Sequence, residues 1–387
     1  MIYQLLVLAG IILFFINLVL NLSFLKKPSL KARLPGKLPL VSILIPARNE
    51  EENIGRCLSS VLNQDYPNFE VLVLDDNSRD GTAGIIRKVS EEDGRVQLIS
   101  GEPLPEGWAG KCFACHQLSQ KARGEWLLFV DADTVSKPHL IRGTLEIAIN
   151  NRISMLSGFP QQQVSGLTQK IVIPILFYFV IMSWFPLWLL HRSKKPLPTL
   201  AIGQFLLFKQ QAYQRIGGHQ IVKSRIMEDV WFAIEMSRRG ERTLSVDLSK
   251  AMTTIMYKTI GTMTEGCVKW FYSVAALSPL TLVGFFLAAY IFYLAPFYWV
   301  LTGPINIIVS SGQWVGWTVV ISLQVVLLML MRVIADLYFR GSAISFIFHP
   351  LGTAFLILTV LYAVARRAVG AGVAWKDRVY QGITHVK

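Results

Sequence analysis

Apolar residues fall along this chain in two regimes. Between 40 and 150 they come as short runs, VSILIPA (41–47), FEVLVLD (69–75), VQLIS (96–100) and EWLLFVD (125–131), which have the length and composition of buried strands. The stretches between them, 50–63, 80–92 and 110–123, carry apolar positions at helical spacing, and Asp80 ahead of Gly81-Thr82 is a good helix start. Strands alternating with amphipathic helices predict an open α/β sheet of the nucleotide-binding kind. Ligands on such sheets gather at the carboxyl ends of the strands, so the polar residues that close each run are the ones to inspect. There is no internal repeat and no low-complexity segment.

Elsewhere the apolar runs are longer. Residues 2–25 contain no charge and are long enough to cross a hydrocarbon core as a helix. They lack the basic lead and small-residue cleavage site of a secretory signal, so a retained anchor is expected. Lys26, Lys27, Lys31, Arg33 and Lys37 follow with no acidic residue among them, which puts the N-terminus outside and the next segment in the cytosol. The runs 275–301, 314–335 and 346–367 are also long enough to span. Three spans, the preferred count, would export Arg366, Arg367, Lys376, Arg378 and Lys387. Two spans and a re-entrant segment broken near His349-Pro350 would keep them in the cytosol. The expected organisation is an anchor (1–25), a cytosolic α/β domain (38–270), a membrane region (271–368) and a basic tail (369–387).

Composition agrees with a membrane protein. Apolar residues make up 52% of the 387 and charged residues 16%, with a mean hydropathy of +0.44, too oily for a set of soluble domains. Disordered, collagen-like and disulfide-rich secreted classes are excluded. Thirty-eight basic against 25 acidic residues leave a net charge of +13, and no nucleic-acid partner is expected. Four cysteines, Cys57, Cys112, Cys115 and Cys267, read as reduced cytosolic residues in a chain of this length.

The strand ends carry the candidate chemistry: Pro46-Ala47-Arg48-Asn49-Glu50, Asp75-Asp76-Asn77-Ser78 and Asp131-Ala132-Asp133. One Asp after a strand is ordinarily a turn or a helix cap. Two carboxylates one residue apart in extended chain lie on one side, and they repel unless a cation answers them. The pair Asp131 and Asp133 is therefore a candidate site for Mg²⁺ or Mn²⁺ and the phosphates that accompany such ions.

The stretch VSILIPARNEEENIGRCLSSVLNQDYPNFEVLVLDDNSRDGT, followed by LLFVDADT, resembles the family 2 glycosyltransferases, and the resemblance extends over about 40–272. It implies a GT-A fold, a Rossmann-like α/β domain, and transfer of sugar from a nucleotide-sugar donor. It further implies that Pro46, Arg48 and Glu50 line the nucleotide site, that Asp76 with Asp75 contacts the base, and that Asp131 and Asp133 hold ribose, diphosphate and metal. Met227-Glu228-Asp229 opens an amphipathic stretch, where an acidic pair would ordinarily be a helix cap. By the resemblance Asp229 is instead the general base, with Glu228 the alternative, and attack of an acceptor hydroxyl opposite the leaving nucleotide gives inversion.

The oily run 171–190 could be a further span, but one crossing would put Asp133 and Asp229 on opposite sides of the membrane. It is expected to lie in the interface or to dip in and return, bringing the site to the lipid surface. A wholly buried core helix is the bland alternative.

Other motifs weigh less. Cys112-Phe113-Ala114-Cys115-His116 matches a haem-attachment pattern, but the cytosolic placement argues against haem, and no second ligand pair supports zinc. Gly110-Lys111 fails as a phosphate loop because Pro105 stands where a glycine is required. Leu104 to Lys111 (LPEGWAGK) is similar to a segment of the carotenoid- and hopanoid-associated branch of the family, which implies that Lys111 approaches the donor phosphates; an exposed loop lysine is the alternative. The tail Trp375 to Tyr380 resembles the ends of lipid glycosyltransferases. Processive synthases of the family carry Gln or Arg, two residues, then Arg-Trp, whereas this chain reads Gly266-Cys267-Val268-Lys269-Trp270. Lys in place of Arg removes the bidentate fork, which favours single addition, although Lys269 and Trp270 remain candidate donor contacts. The expected function is an inverting, metal-dependent transfer of one sugar to a hydroxylated membrane lipid, a carotenoid being the specific candidate. A polysaccharide synthase is the first alternative.

Overall fold

The computed structural model describes residues 2–34, 36–164, 166–257, 259–277, 279–309, 315–371, 373–375 and 378–380. Lys376, Asp377 and Lys387 of the basic tail lie outside the described residues. The chain divides into two compact units: an α/β unit of 25–163 with 189–256 and the tail from 375, and a helical unit of 1–24, 164–188 and 257–374.

The α/β unit is built on a sheet of β1 (Val41–Ala47), β2 (Phe69–Asp75), β3 (Val96–Ser100) and β4 (Trp126–Val130). A short β5 (Thr134–Ser136) follows, then β6 (Met155–Phe159), β7 (Gln161–Gln162), β8 (Phe205–Lys209), β9 (Thr243–Asp247) and β10 (Met252–Thr254). Seven of these form one sheet in the order β3-β2-β1-β4-β8-β6-β9. The first four run parallel, whereas β8 is antiparallel to both β4 and β6. A second, three-stranded sheet has the order β5-β10-β7.

Alternation along each strand fills both faces of the large sheet. Ile43, Ile45, Val71, Val73, Leu128 and Val130 pack on one side with Ile54, Leu58 and Leu145 from helices. Leu44, Leu72, Leu74, Leu127 and Phe129 pack on the other with Leu118, Phe208 and Phe232. Both faces are covered, which explains why the parallel strands read as unbroken apolar runs rather than as an alternating pattern. The basic segment after the first helix is strapped to this unit. Lys27 Nζ lies 3.6 Å from Asp247, Lys26 Nζ donates to Asn151 Oδ1 at 3.0 Å, and the Lys26 carbonyl accepts from Asp247 N at 2.9 Å.

Among the described residues, five helical segments of the helical unit are long and apolar enough to cross a membrane: Ile2–Phe24, Leu167–Trp184, Leu280–Thr302, Gly316–Tyr338 and Ser345–Ala368. The first is parallel to Gly316–Tyr338, since Gln324 Nε2 donates to the Gln4 carbonyl at 2.8 Å and Tyr338 Oη to that of Leu22 at 3.1 Å. Phe292, near the middle of its helix, packs on Phe14 at 5.2 Å. The segment Leu167–Trp184 contains Pro174, followed by a widened π-helical turn, Ile175–Val180. A proline in a helix interior removes a hydrogen bond and crowds the preceding turn, a standard cause of such irregularity. The far end of this segment is fastened to the first helix, with Asn21 Nδ2 donating to the carbonyls of Met182 and Phe185, both at 2.7 Å.

The last apolar helix, His349–Ala368, starts beside Tyr293, Phe297 and Phe179. It passes Ala289 and Phe285 as it advances through Leu356 to Val360. It ends with Arg366 paired to Glu265 at 2.9 Å. Just before it, Ser345 Oγ donates to Asp336 Oδ2 at 2.7 Å and accepts from Arg332 at 2.9 Å. Arg332 and Asp336 form a fully buried ion pair at 2.8 Å.

Candidate active site

Three loops at the carboxyl ends of β1, β2 and β4 carry the residues singled out in the sequence. After β1 the chain turns through Asn49, whose φ of +51° is a conformation that Asn tolerates better than most residues. Arg48 Nη1 donates to the Asp76 carbonyl at 2.6 Å and to that of Asn77 at 3.3 Å, bracing the first strand end against the second. Glu50 accepts from Asn53 Nδ2 at 2.7 Å, and its backbone N–H donates to Thr82 Oγ1 at 2.7 Å, so it is tied into the start of the helix Ile54–Leu62. Pro46 is half-buried within β1.

After β2, Asp75 Oδ1 accepts from Ser78 N at 3.3 Å, Asp76 N donates to the Ala47 carbonyl at 2.8 Å, and Asn77 has a φ of +55°. The Asp76 side chain is buried. Asp80 Oδ1 accepts from Thr82 N at 3.0 Å and so caps the next helix from one residue farther out than the usual cap position.

After β4, Asp131 and Asp133 sit on the turn into β5, held by Thr134 Oγ1 donating to the Asp131 carbonyl at 2.7 Å. Lys111, in the first turn of the helix Gly110–Lys121, meets this turn: its Nζ lies 2.8 Å from Asp131 Oδ1 and 3.0 Å from Glu228 Oε1. Burial works against the ammonium, but Asp131 and then Glu228 more than offset it and hold its pKa well above the ordinary lysine value.

Glu228 and Asp229 form the first turn of the helix Glu228–Arg238. Asp229 Oδ2 accepts from Gly203 N at 2.7 Å and Oδ1 from Val230 N at 2.8 Å. Burial, then the charge of Glu228 beside it, raises the Asp229 pKa from 3.8 to about 7, against the opposing pull of Lys111 and of the two backbone donors.

Gly203 is the residue that the sequence reading missed. Its N–H holds Asp229, its carbonyl accepts from Lys111 Nζ at 3.4 Å, and a Cβ on it would lie 3.0 Å from Lys111 Nζ and 3.2 Å from Glu228 Oε1. Ser157 fixes the same turn, its Oγ accepting from Ile202 N at 2.8 Å. The only sequence signal was a glycine two residues before an apolar strand, which is too common to single out.

The donor set suits a hard divalent cation. Asp131 and Asp133 offer oxygen ligands, and the ammonium on Asp131 marks a place that attracts positive charge. Among the described residues no group of three or more His, Cys, Asp or Glu side chains gathers at one point, so substrate phosphate and water would complete the shell of such an ion.

Lys269 and Trp270 belong to the helical unit, on the helix Ile260–Leu277, where Trp270 packs edge-on against Phe271 at 4.9 Å. Cys112 and Cys115 are buried free thiols whose pKa values are raised by burial, and Cys112 Sγ donates to the Arg225 carbonyl at 3.4 Å. His116 lies against Trp108 at 5.0 Å.

Residues 42–217 match the family model described as Glycosyl transferase family 2. Over 119 residues (31% of this chain, 45% of the relative) the chain is 34% identical to an Escherichia coli UDP-Glc:alpha-D-GlcNAc-diphosphoundecaprenol beta-1,3-glucosyltransferase. Over 189 residues (49% of each chain) it is 26% identical to a 4,4'-diaponeurosporenoate glycosyltransferase of Staphylococcus haemolyticus. The chain thus spans about half the length of these curated relatives. In structure it is similar to a mannosyltransferase from Pyrobaculum calidifontis solved with GDP-Man and Mn²⁺, at a TM-score of 0.51 and 16% identity, over 94% of this chain and 99% of that one. That likeness is one of fold. Residues 42–217 of this chain are a glycosyl transferase family 2 domain, built on the GT-A fold.

Proposed function

We propose that this protein is an integral membrane glycosyltransferase that moves one sugar, with inversion, from a nucleotide-sugar donor to a hydroxyl of a membrane lipid. The observation that carries this reading is the chain of contacts Asp131, Lys111, Gly203 and Asp229, with Glu228 on the same ammonium, which joins a carboxylate pair suited to a donor to a carboxylate suited to an acceptor. Pro46, Arg48, Glu50, Asp75 and Asp76 bind the nucleotide in this scheme. Asp131 and Asp133 would hold Mg²⁺ or Mn²⁺, which supplies neutralisation of charge on the departing diphosphate.

Asp229 is the proposed base. Its two backbone bonds fix the carboxylate's orientation, and a pKa near 7 suits a group that must be ionised yet accept a proton at neutral pH. It takes the proton from the acceptor hydroxyl as that oxygen attacks the anomeric carbon. The new bond to the acceptor forms as the bond to the nucleotide diphosphate breaks. Glu228, ion-paired to Lys111, is the less suitable base, because its carboxylate is already engaged.

The lipid acceptor is supported by the apolar helices and by the two relatives, named for action on a diphosphoundecaprenol-linked sugar and on diaponeurosporenoate. A carotenoid is the specific acceptor proposed. The polymer-forming alternative is disfavoured by Gly266 and Lys269 in the places of Gln or Arg and of Arg.

Packing within the helical unit supports three crossings, by 2–24, 280–302 and 316–338, with 167–184 and 349–368 as segments that enter and return. Helix His349–Ala368 starts level with Tyr293 and ends at Glu265, running back towards the end of the helix Leu280–Thr302 at which the chain entered it. This topology keeps Arg366 and Arg367 on the side of Lys26 and Lys27, in accord with the charge rule.

The test is mass spectrometry of lipids extracted from cells with and without the protein. A lipid heavier by one hexose or deoxyhexose, present only with the protein, is the expected result. Unchanged lipids together with loss of a polysaccharide would replace this reading with the synthase.

A further inference from the structure

Lys111 occupies an awkward position. It stands in the first turn of a helix, where the helix field repels positive charge, and its ammonium lies among buried groups. What holds it there is a pair of carboxylates, Asp131 at 2.8 Å and Glu228 at 3.0 Å, on two different elements. One of these belongs to the pair proposed to take a divalent ion, and the other adjoins the proposed base. About a third of the Lys111 side chain (32%) and 28% of that of Asp131 stay exposed, so the pair is not sealed into the core. Asp131 cannot give the same lone pairs fully to an ammonium at 2.8 Å and to a metal ion.

We propose that Lys111 is a resident cation that occupies Asp131 until donor and metal arrive and is then displaced onto the donor diphosphate, keeping Glu228 as its second partner. The proposal rests on the glycosyltransferase reading above, and makes Lys111 a positioning residue that links donor loading to the acidic pair of the base helix. No bond is made or broken in the exchange, since one ion pair replaces another. In this scheme Lys111 both opposes binding of the metal alone and favours binding of the metal together with a diphosphate. A lysine acting only as a phosphate ligand would do the second and not the first.

The two roles separate in a binding experiment on the full chain in nanodiscs, with free Mn²⁺ followed by electron paramagnetic resonance. Lys111→Met is expected to bind Mn²⁺ alone roughly tenfold more tightly than the wild type, within the range in which groups bonded to a metal's ligands alter metal affinity. It is expected to lose most of the gain in Mn²⁺ affinity that UDP or GDP gives the wild type. Lys111→Arg, which keeps the charge, is expected to stay within about threefold of the wild type in Mn²⁺ alone. It serves as the second variant if methionine leaves Glu228 too poorly paired for the protein to fold: tenfold tighter Mn²⁺ binding by the arginine variant would overturn the proposal. Unchanged or weaker Mn²⁺ binding by a folded Lys111→Met would also overturn it, leaving the metal assignment intact. Absence of Mn²⁺ binding by the wild type, with or without nucleotide, would remove the metal assignment and this proposal together.

Discussion

Replacing Gly203 by alanine adds one methyl group where three charged side chains meet. The new Cβ would lie 3.0 Å from Lys111 Nζ, 3.2 Å from Glu228 Oε1 and 3.4 Å from Asp229 Oδ2. The backbone itself does not require glycine, since Gly203 is not among the residues with positive φ. The cost is therefore one of crowding. Ordinary contact requires the ammonium to retreat by roughly 0.5 Å, which its flexible stem allows, but the retreat lengthens the contacts to Asp131 and Glu228. Over-packing of this size costs about 1–3 kcal/mol of stability. A displacement of about 1 Å at a reacting group can cost 10²-fold in rate, so half of that predicts a fall in kcat of roughly tenfold. The assay is transfer of labelled sugar to membrane lipid at saturating donor, with the unfolding temperature measured in parallel. A folded Gly203→Ala variant with wild-type kcat and donor KM would refute the idea that this junction controls the chemistry.

The remaining predictions address the base, the helical unit and the topology. Asp229→Asn should retain donor binding and lose about 10²–10⁴-fold in transfer, the usual contribution of a general base; a loss below tenfold would reassign the role. Because the Asp229 pKa is raised and the proposed base acts when ionised, wild-type kcat/KM should rise with pH through about 7 and fall in acid long before the ordinary carboxylate value of 3.8. A flat profile from pH 5 to about 8 would contradict that assignment. Arg332→Met strands the buried carboxylate of Asp336 and should cost about 3–5 kcal/mol, whereas the double change Arg332→Met with Asp336→Leu should recover most of the loss; equal loss in both would show that the pair itself matters little. A reporter fused at the C-terminus should be accessible from the side that carries Lys26, and protection from that side would restore the count of three C-terminal spans.

Much of the α/β unit was legible because local chemistry and global fold agree there. The four parallel strands are buried on both faces, so their sequences are apolar without interruption, and their polar ends mark the loops that carry Arg48, Asp76 and Asp131. The antiparallel half of the sheet was less visible. Strand β8 lies between β4 and β6 in the sheet but 75 residues after β4 in the chain, counting from Val130 to Phe205, and no local pattern carries that pairing. The junction itself was hidden for the same reason. Asp131, Lys111, Gly203 and Glu228 come from four separate segments, and spacing cannot report that one ammonium answers two carboxylates. Lys111 was singled out for a phosphate on the strength of a resemblance, whereas its contacts in the structure are to carboxylates and to a carbonyl.

The oily stretch between Asp133 and Asp229 shows how a long-range pairing can constrain a membrane topology. Length and hydropathy alone would let Leu167–Trp184 cross a bilayer. Yet β4 precedes this stretch, β8 follows it, and the two pair antiparallel from Trp126 with Lys209 through Val130 with Phe205. Strands of one sheet cannot lie on opposite sides of a membrane, so an odd number of crossings between them is forbidden. The segment's own construction meets that demand: Pro174 and the widened turn after it interrupt the regular helix, and the carbonyls of Met182, Ser183 and Phe185 at its end are taken up by Asn17 and Asn21. Backbone groups freed at an irregular helix end inside a membrane require such partners, because neither lipid nor water is there to supply them. A substitution of Asn21 by leucine would remove the 2.7 Å bonds to the Met182 and Phe185 carbonyls and leave them only the longer ones from Asn17, at 3.3 and 3.2 Å, and the segment Leu167–Trp184, rather than the seven-stranded sheet, is where its damage should appear.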